Sequence, residues 1–107
     1  MIRFDAETLA TFRRGIMKRG HTLATLLADL LAGKRSPSAV DALGIGKPGM
    51  RPEEAVRMTL DAVEARRRLI DANDDRYGRC DLCGEDLGAA ALGEMPWADR
   101  CAAHAAI

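Results

Sequence analysis

The sequence is poor in aromatic side chains and in cysteine. It has two Phe, one Tyr, one Trp and three Cys among 107 residues. So few aromatic side chains exclude a large aromatic core, and a domain this small often needs an additional stabilising element. Three cysteines cannot form a closed set of disulfides, and clustered cysteines in a reducing compartment are more often metal ligands or redox groups.

An excess of charge and long apolar runs are also lacking. The 16 basic residues balance the 16 acidic ones, which argues against a general nucleic-acid binder because such proteins carry a strong basic excess. No apolar run approaches the roughly 20 residues that cross a bilayer, and the first five residues show no signal-peptide pattern. We therefore expect a cytoplasmic protein that does not bind membranes.

Residues 5 to about 32 have the pattern of a long helix. Asp5 can cap its N-terminus, and the apolar residues follow the a and d spacing of a coiled coil. Arg19 fills the one polar position of this series. Gly15 and Gly20 each weaken a helix by about 1 kcal/mol relative to Ala, so we expect packing against a partner helix to offset that cost. The apolar series consists of Leu9, Phe12, Ile16, Leu23, Leu26 and Leu30.

Residues 52 to about 76 have the pattern of a second helix that begins at Pro52. Its apolar seam is Val56, Leu60, Val63 and Ile70, with Arg67 in the gap, and an adjoining stripe is formed by Met58, Ala62, Ala65 and Leu69. Between the helices, residues 33–51 are rich in Gly and Pro, and a short helical turn is predicted over 37–43. The fold prediction is mostly α. It comprises an antiparallel, coiled-coil-like hairpin over 1–76 with a tip loop at about 33–51, followed by a small zinc ribbon over 77–107.

The ribbon prediction depends on the spacing of four side chains. Cys80 and Cys83 are followed, after 17 residues, by Cys101 and His104. A C-x2-C turn places two thiolates on one side, and Gly84 permits the left-handed backbone that such turns often need. Three thiolates and one imidazole complete a tetrahedral shell, so we predict one Zn²⁺ per chain. A closed shell has no open position for substrate, which indicates a structural ion and not an enzyme.

Several alternatives to this site stay open. Cys80 and Cys83 could be a redox pair, although such motifs usually accompany a βαβ pattern that is not visible here. Iron could replace zinc, and water could complete the shell if His104 is a solvated side chain. DNA binding by residues 77–107 is disfavoured, because Arg79 and Arg100 are outnumbered by five carboxylates.

The cysteine motif and its surroundings resemble the zinc finger of the DksA/TraR family. The similarity covers the residues YGRCDLCGE at 77–85 and PWADRC at 96–101, and the preceding helices extend it over most of the chain. Ala91 replaces a family arginine, and His104 stands where the family has a fourth cysteine. Two further positions match the family pattern, namely Leu87 and Pro96.

The resemblance implies a function at the other end of the hairpin. Proteins of this family bind bacterial RNA polymerase by inserting the coiled coil into its secondary channel, where acidic tip residues act near the catalytic centre. Residues 37–43 resemble the family's tip pattern Asp-x-x-Asp-x-Ala. In this alignment Asp41 matches the second aspartate, Ser38 replaces the first, and Leu43 replaces the alanine. The resemblance therefore implies a transcription regulator that binds polymerase through its hairpin.

A cluster of arginines on the second helix has two interpretations. Arg66, Arg67 and Arg68 could contact acidic surfaces of a partner, or they could form a solvated helix face. Arg19 and Arg67 fall within the apolar seams, where they could extend to the hairpin edge or face a partner. The alternative function is a zinc-stabilised adaptor or homodimerisation module that does not act on polymerase and uses the apolar stripes.

Overall fold

The described part of the chain, residues 4–105 of a computed structural model, is mostly helical, as predicted. The first three residues of the predicted hairpin and the last two of the predicted ribbon lie outside it. Within residues 4–105 the only β-type pairing is one antiparallel bridge between Arg79 and Asp86. No described helix is both long and apolar enough to cross a membrane. The helices are α1 (Ala6–Leu31), α2 (Ser38–Asp41), α3 (Pro52–Asp71), α4 (Ala89–Glu94) and a 3₁₀ helix (Ala102–His104).

Helix α1 begins and ends where the sequence predicts. The Asp5 carboxylate accepts a hydrogen bond from the Thr8 N–H at 2.7 Å, which satisfies one of the free amide groups of the first turn. At the other end Gly33 has φ of 73°, and the Lys34 N–H donates to the Asp29 carbonyl at 2.8 Å. This pair of features is a Schellman motif, which stops the helix at Leu31.

Helix α3 begins at Pro52 as predicted, but it ends at Asp71, so the predicted end near residue 76 is wrong. Asn73 adopts a left-handed conformation with φ of 54°, and the Asp74 N–H donates to the Leu69 carbonyl at 2.9 Å. Asn tolerates this conformation better than most residues because its short polar side chain can form local hydrogen bonds. The same Schellman geometry therefore closes both long helices.

Helices α1 and α3 pack side by side in opposite directions and are called the helical pair below. Arg13 of α1 forms an ion pair with Asp71 at the end of α3, whereas Gly20 faces Val63 about two turns earlier in α3. Most of the core comes from the predicted apolar seams, while Leu9, Leu30, Leu60 and Ile70 are only partly buried against it. The buried core consists of Phe12, Ile16, Leu23, Leu26, Val40, Ala55, Val56, Val63, Tyr77 and Leu92.

Residues 32–51 cover one end of the helical pair. The short helix α2 is shorter than the predicted turn over 37–43 and buries Val40 in the core. Gly46 has φ of 84°, and a Cβ at that position would lie 2.6 Å from the Cβ of Ala55. This loop is thus packed onto the start of α3, while Asp41 on α2 is exposed.

Residues 77–105, called the C-terminal segment below, pack against the opposite part of the pair. The contact is close at Gly15, where an added Cβ would lie 2.6 Å from the Pro96 Cγ. The Tyr77 hydroxyl donates to the Pro96 carbonyl at 2.7 Å and holds that loop in place. The expectation that a partner helix explains both helical glycines is therefore right for Gly20 and wrong for Gly15.

Candidate metal centre

The four predicted ligands lie together in the C-terminal segment. The ligand atoms of Cys80, Cys83, Cys101 and His104 are all within 4.8 Å of one another. The His104 Nδ1 lies 3.2 Å from the Cys101 Sγ and 3.5 Å from the Cys80 Sγ. The sulfur atoms of Cys83 and Cys101 are 3.8 Å apart. The cluster can therefore bind a metal ion.

These separations fit a tetrahedral ion bound by sulfur and nitrogen. Metal–sulfur bonds of about 2.3 Å and metal–nitrogen bonds of about 2.0–2.1 Å place tetrahedral sulfur atoms about 3.8 Å apart and a sulfur about 3.6 Å from a nitrogen. The observed distances of 3.8 and 3.5 Å agree with these values, whereas the 3.2 Å between Cys101 and His104 is shorter. Disulfides require a sulfur–sulfur distance of about 2.05 Å, and all three cysteines are free.

Local backbone hydrogen bonds place the first two thiolates. The Cys80 N–H donates to the Glu85 carbonyl, and the Gly84 N–H donates to the Cys80 carbonyl, both at 2.9 Å. Gly84 has φ of 74°, the conformation for which glycine is favoured. This tight turn brings Cys80 and Cys83 to the same side, as their spacing predicts.

The second pair of ligands is attached to the first through the backbone. The Asp81 N–H donates to the Asp99 carbonyl at 2.9 Å, which aligns the two halves of the site. Cys101 precedes the 3₁₀ helix that carries His104, and the His104 N–H donates to the Cys101 carbonyl at 3.0 Å. A single helical turn therefore brings the imidazole back over the thiolates.

The environment of the cluster favours an anionic sulfur at Cys80. Cys80 and Cys101 are buried, whereas Cys83 is exposed. Burial alone would raise the pKa of the Cys80 thiol, but the backbone amides of Cys101, Cys83 and Leu82 outweigh burial and lower this pKa to about 6. The thiolate is the form that binds metals, so these amides prepare Cys80 as a ligand.

Arg66 connects this site to helix α3. Its guanidinium donates to both carboxylate oxygens of Asp81, at 3.1 and 3.2 Å, and Arg100 contacts the same carboxylate at 3.3 Å. The Arg66 residue is only 8% exposed. The prediction that Arg66 contacts a partner is therefore corrected, since the C-terminal segment covers this side chain and already pairs its charge.

The other predicted partner-binding residues lie at the surface. Arg67 forms ion pairs with Glu64 and Asp71, both at 2.8 Å, along the edge of α3. These pairs raise the pKa of Arg67, first through the hydrogen bond with Glu64. Arg68 is exposed on the same helix, and Asp41 is exposed at the far end of the helical pair. The structure does not bring the three residues to one place.

Two residues of this region were not singled out by the sequence pattern. Asp81 lies between the first two cysteines and pairs with two arginines, and Trp97 lies 5.0 Å below the guanidinium carbon of Arg19. Both contacts join residues far apart in the chain, so no spacing rule predicts them. The one available signal was Arg19, a charged residue within an otherwise apolar helix face, and it concerned only Trp97.

Comparison with protein-family models, with curated proteins and with solved structures found no match to this chain. The fold and site define a mostly helical protein with a cluster of three cysteines and one histidine that can bind a metal ion. The likeness to the DksA/TraR finger stays a prediction from the residues quoted above.

Proposed function

We propose that the cluster holds one structural Zn²⁺ per chain and that the helical pair is a hairpin that binds RNA polymerase to regulate transcription. Zinc is favoured over iron because a tetrahedral set of thiolates and imidazole suits its coordination preferences. Four protein ligands leave no position for a substrate, so the ion would fix the C-terminal segment against α1 and α3 and would not take part in a reaction.

The polymerase proposal rests on the resemblance together with one observation, the exposed position of Asp41 at the end of the pair away from the metal cluster. The chain is elongated and measures 46 × 27 × 20 Å. Helix α2, which carries Asp41, lies between the C-terminal end of α1 and the start of α3. The C-terminal segment instead contacts Gly15 and Arg66. A narrow body with an exposed acid at its tip suits insertion into a channel.

The test is a pull-down with purified core RNA polymerase, followed by transcription in vitro. We expect the wild-type protein to be retained and to change transcript yield, and we expect Asp41→Ala to reduce that change. Asp61→Ala is the matched control, because it removes an exposed aspartate from the middle of α3. If polymerase does not retain the wild-type protein, or if both variants behave alike, the role proposed for the tip is wrong.

A second candidate function is an adaptor or homodimerisation module, and the surface of α3 favours it. Met58 is 40% exposed, and Ala62 and Ala65 of the same stripe are also exposed. The C-terminal segment thus leaves most of this stripe uncovered, and an exposed apolar stripe can be buried between two chains.

Light scattering coupled to size-exclusion chromatography distinguishes the two functions. A dimer would have twice the chain mass of 11.6 kDa, and Ala62→Glu would return it to a monomer. Met17→Lys, which places a charge at an exposed methionine on α1, is the control and should not change the mass. A monomeric wild-type protein at all concentrations would contradict the dimer.

A further inference from the structure

Arg19 differs from the other partly buried arginines because it has no carboxylate partner among the described residues. Its Nε–H group is buried and donates to no acceptor there, although its guanidinium carbon lies 5.0 Å from the Trp97 ring centre. An arginine over a tryptophan face is stabilised as a cation, but its N–H groups still require acceptors. The other described arginines that are buried or partly buried all have acidic partners, and they are Arg13, Arg66, Arg67, Arg79 and Arg100.

Arg19 borders a cleft between α1 and the C-terminal segment. The cleft has a volume of about 420 Å³, which lies within the roughly 300–1,000 Å³ of small-molecule sites. One wall is apolar and aromatic, and the other carries two threonines whose hydroxyls already donate to backbone carbonyls of α1. The charged residues at its edge are Lys18, Arg19 and Glu94, and the apolar wall is formed by Phe12, Pro96 and Trp97.

The charges of this cleft select among negatively charged ligands. Two cations and one carboxylate leave a net charge of one positive unit, which matches a monoanion better than a dianion. The planar guanidinium of Arg19 is suited to the two oxygens of a carboxylate. The adjacent Trp97 face can stack on a planar apolar group.

We propose that this cleft is a binding site for a monocarboxylate with a planar apolar body. The carboxylate pairs with Arg19 and Lys18, and the apolar body lies against Trp97 and Pro96. This site is separate from the metal cluster and from the polymerase proposal, and it does not depend on either.

Because Trp97 is the only tryptophan, its indole N–H gives one NMR cross-peak that reports on the cleft. The probe is benzoate, added to the ¹⁵N-labelled, zinc-loaded full chain. We expect a saturable shift of this cross-peak with benzoate and none with benzamide, its neutral analogue. Arg19→Met should weaken benzoate binding by about tenfold or more, since it removes charge-assisted hydrogen bonds.

Arg57→Met is the matched control, because Arg57 is exposed on α3 and does not line the cleft, and it should bind benzoate as the wild type does. Lys18→Met, a substitution at an exposed position of the same cleft, should also weaken binding and covers the case in which Arg19→Met does not fold. The proposal is overturned if benzoate causes no saturable shift, or if benzamide shifts the peak equally. Tighter binding of phenyl phosphate than of benzoate would likewise overturn the assignment to a monocarboxylate.

Discussion

The Arg66 guanidinium donates to both oxygens of the Asp81 carboxylate, at 3.1 and 3.2 Å. Arg66 lies in helix α3, and Asp81 lies between the first two cysteines of the metal cluster. The Arg66 side chain is 10% exposed and that of Asp81 is 39% exposed. This ion pair therefore fastens the C-terminal segment to the helical pair at a partly desolvated position.

Replacing Asp81 alone should destabilise the protein more than replacing Asp81 and Arg66 together. Asp81→Asn leaves the buried Arg66 charge without its carboxylate, and we expect the free energy of unfolding to fall by about 2 kcal/mol. The Arg66→Met/Asp81→Asn double variant should recover part of this loss, because no unpaired charge stays buried. Urea unfolding of the zinc-loaded protein measures both effects.

Arg68→Met is the control for this ion pair. Arg68 is exposed on the same helix, and exposed substitutions usually change the stability by no more than about 0.5 kcal/mol. Equal stabilities of Asp81→Asn and Arg68→Met would show that the Arg66–Asp81 contact contributes nothing.

The two glycines of α1 should respond to alanine with opposite signs. At Gly15 an added Cβ meets Pro96 at 2.6 Å, whereas at Gly20 its nearest neighbours are Val63 and Leu60 at 3.8 and 4.0 Å. We expect Gly15→Ala to destabilise by about 1–3 kcal/mol through overpacking. Gly20→Ala should stabilise by up to about 1 kcal/mol through helix propensity. Thermal unfolding of the Gly15→Ala and Gly20→Ala variants checks the prediction. If both substitutions stabilise the protein, Pro96 does not pack closely on α1.

Tyr77 should make the protein sensitive to alkaline pH. Burial raises the pKa of the Tyr77 phenol above its ordinary value, so the unfolded state ionises first. The contribution of this group to stability is complete below about pH 10 and is lost as the pH rises towards the folded-state pKa. We expect the wild type to lose more stability than Tyr77→Phe between about pH 8 and about pH 11.

The comparison with Tyr77→Phe also isolates one hydrogen bond. The substitution removes the bond to the Pro96 carbonyl and should lower stability by about 1 kcal/mol at neutral pH. Because Tyr77 is the only tyrosine, absorbance at alkaline pH follows its ionisation directly. An ordinary phenol titration in the folded protein would contradict the burial argument.

Replacing His104 tests whether the imidazole is the fourth ligand. The protein should hold one zinc ion per chain, and His104→Ala should weaken binding by roughly 100-fold or more, since even outer-shell partners are worth roughly 10–100-fold. His104→Cys should keep the metal, because a thiolate can occupy the same position. Competition with a chelator measures the affinity for zinc, and elemental analysis measures the number of zinc ions per chain. Unchanged affinity in His104→Ala would show that water completes the shell.

The spacing of the metal ligands carried most of the information about the candidate site. Cys80 and Cys83 are placed by a tight turn around Gly84, and Cys101 and His104 are placed by one helical turn, so each pair depends on local backbone geometry. The apolar seams likewise predicted much of the core, from Phe12 in α1 to Val63 in α3. The predicted end of α3, near residue 76, lies beyond the observed end, because Asn73 adopts the left-handed conformation and stops the helix at Asp71.

The four clustered cysteine and histidine residues, the two long helices and the interrupted stretch between them could all be predicted from the amino-acid sequence alone. Each follows from periodicity or spacing over a few residues, where the backbone leaves few alternatives. The folded structure was needed to show which arginine is buried and that Pro96, not a helix, fills the space beside Gly15. It was also needed to show that Arg19 lies over Trp97 and has no carboxylate partner among residues 4–105. These relationships join residues that are distant in the chain, and they depend on how the C-terminal segment packs on the helical pair.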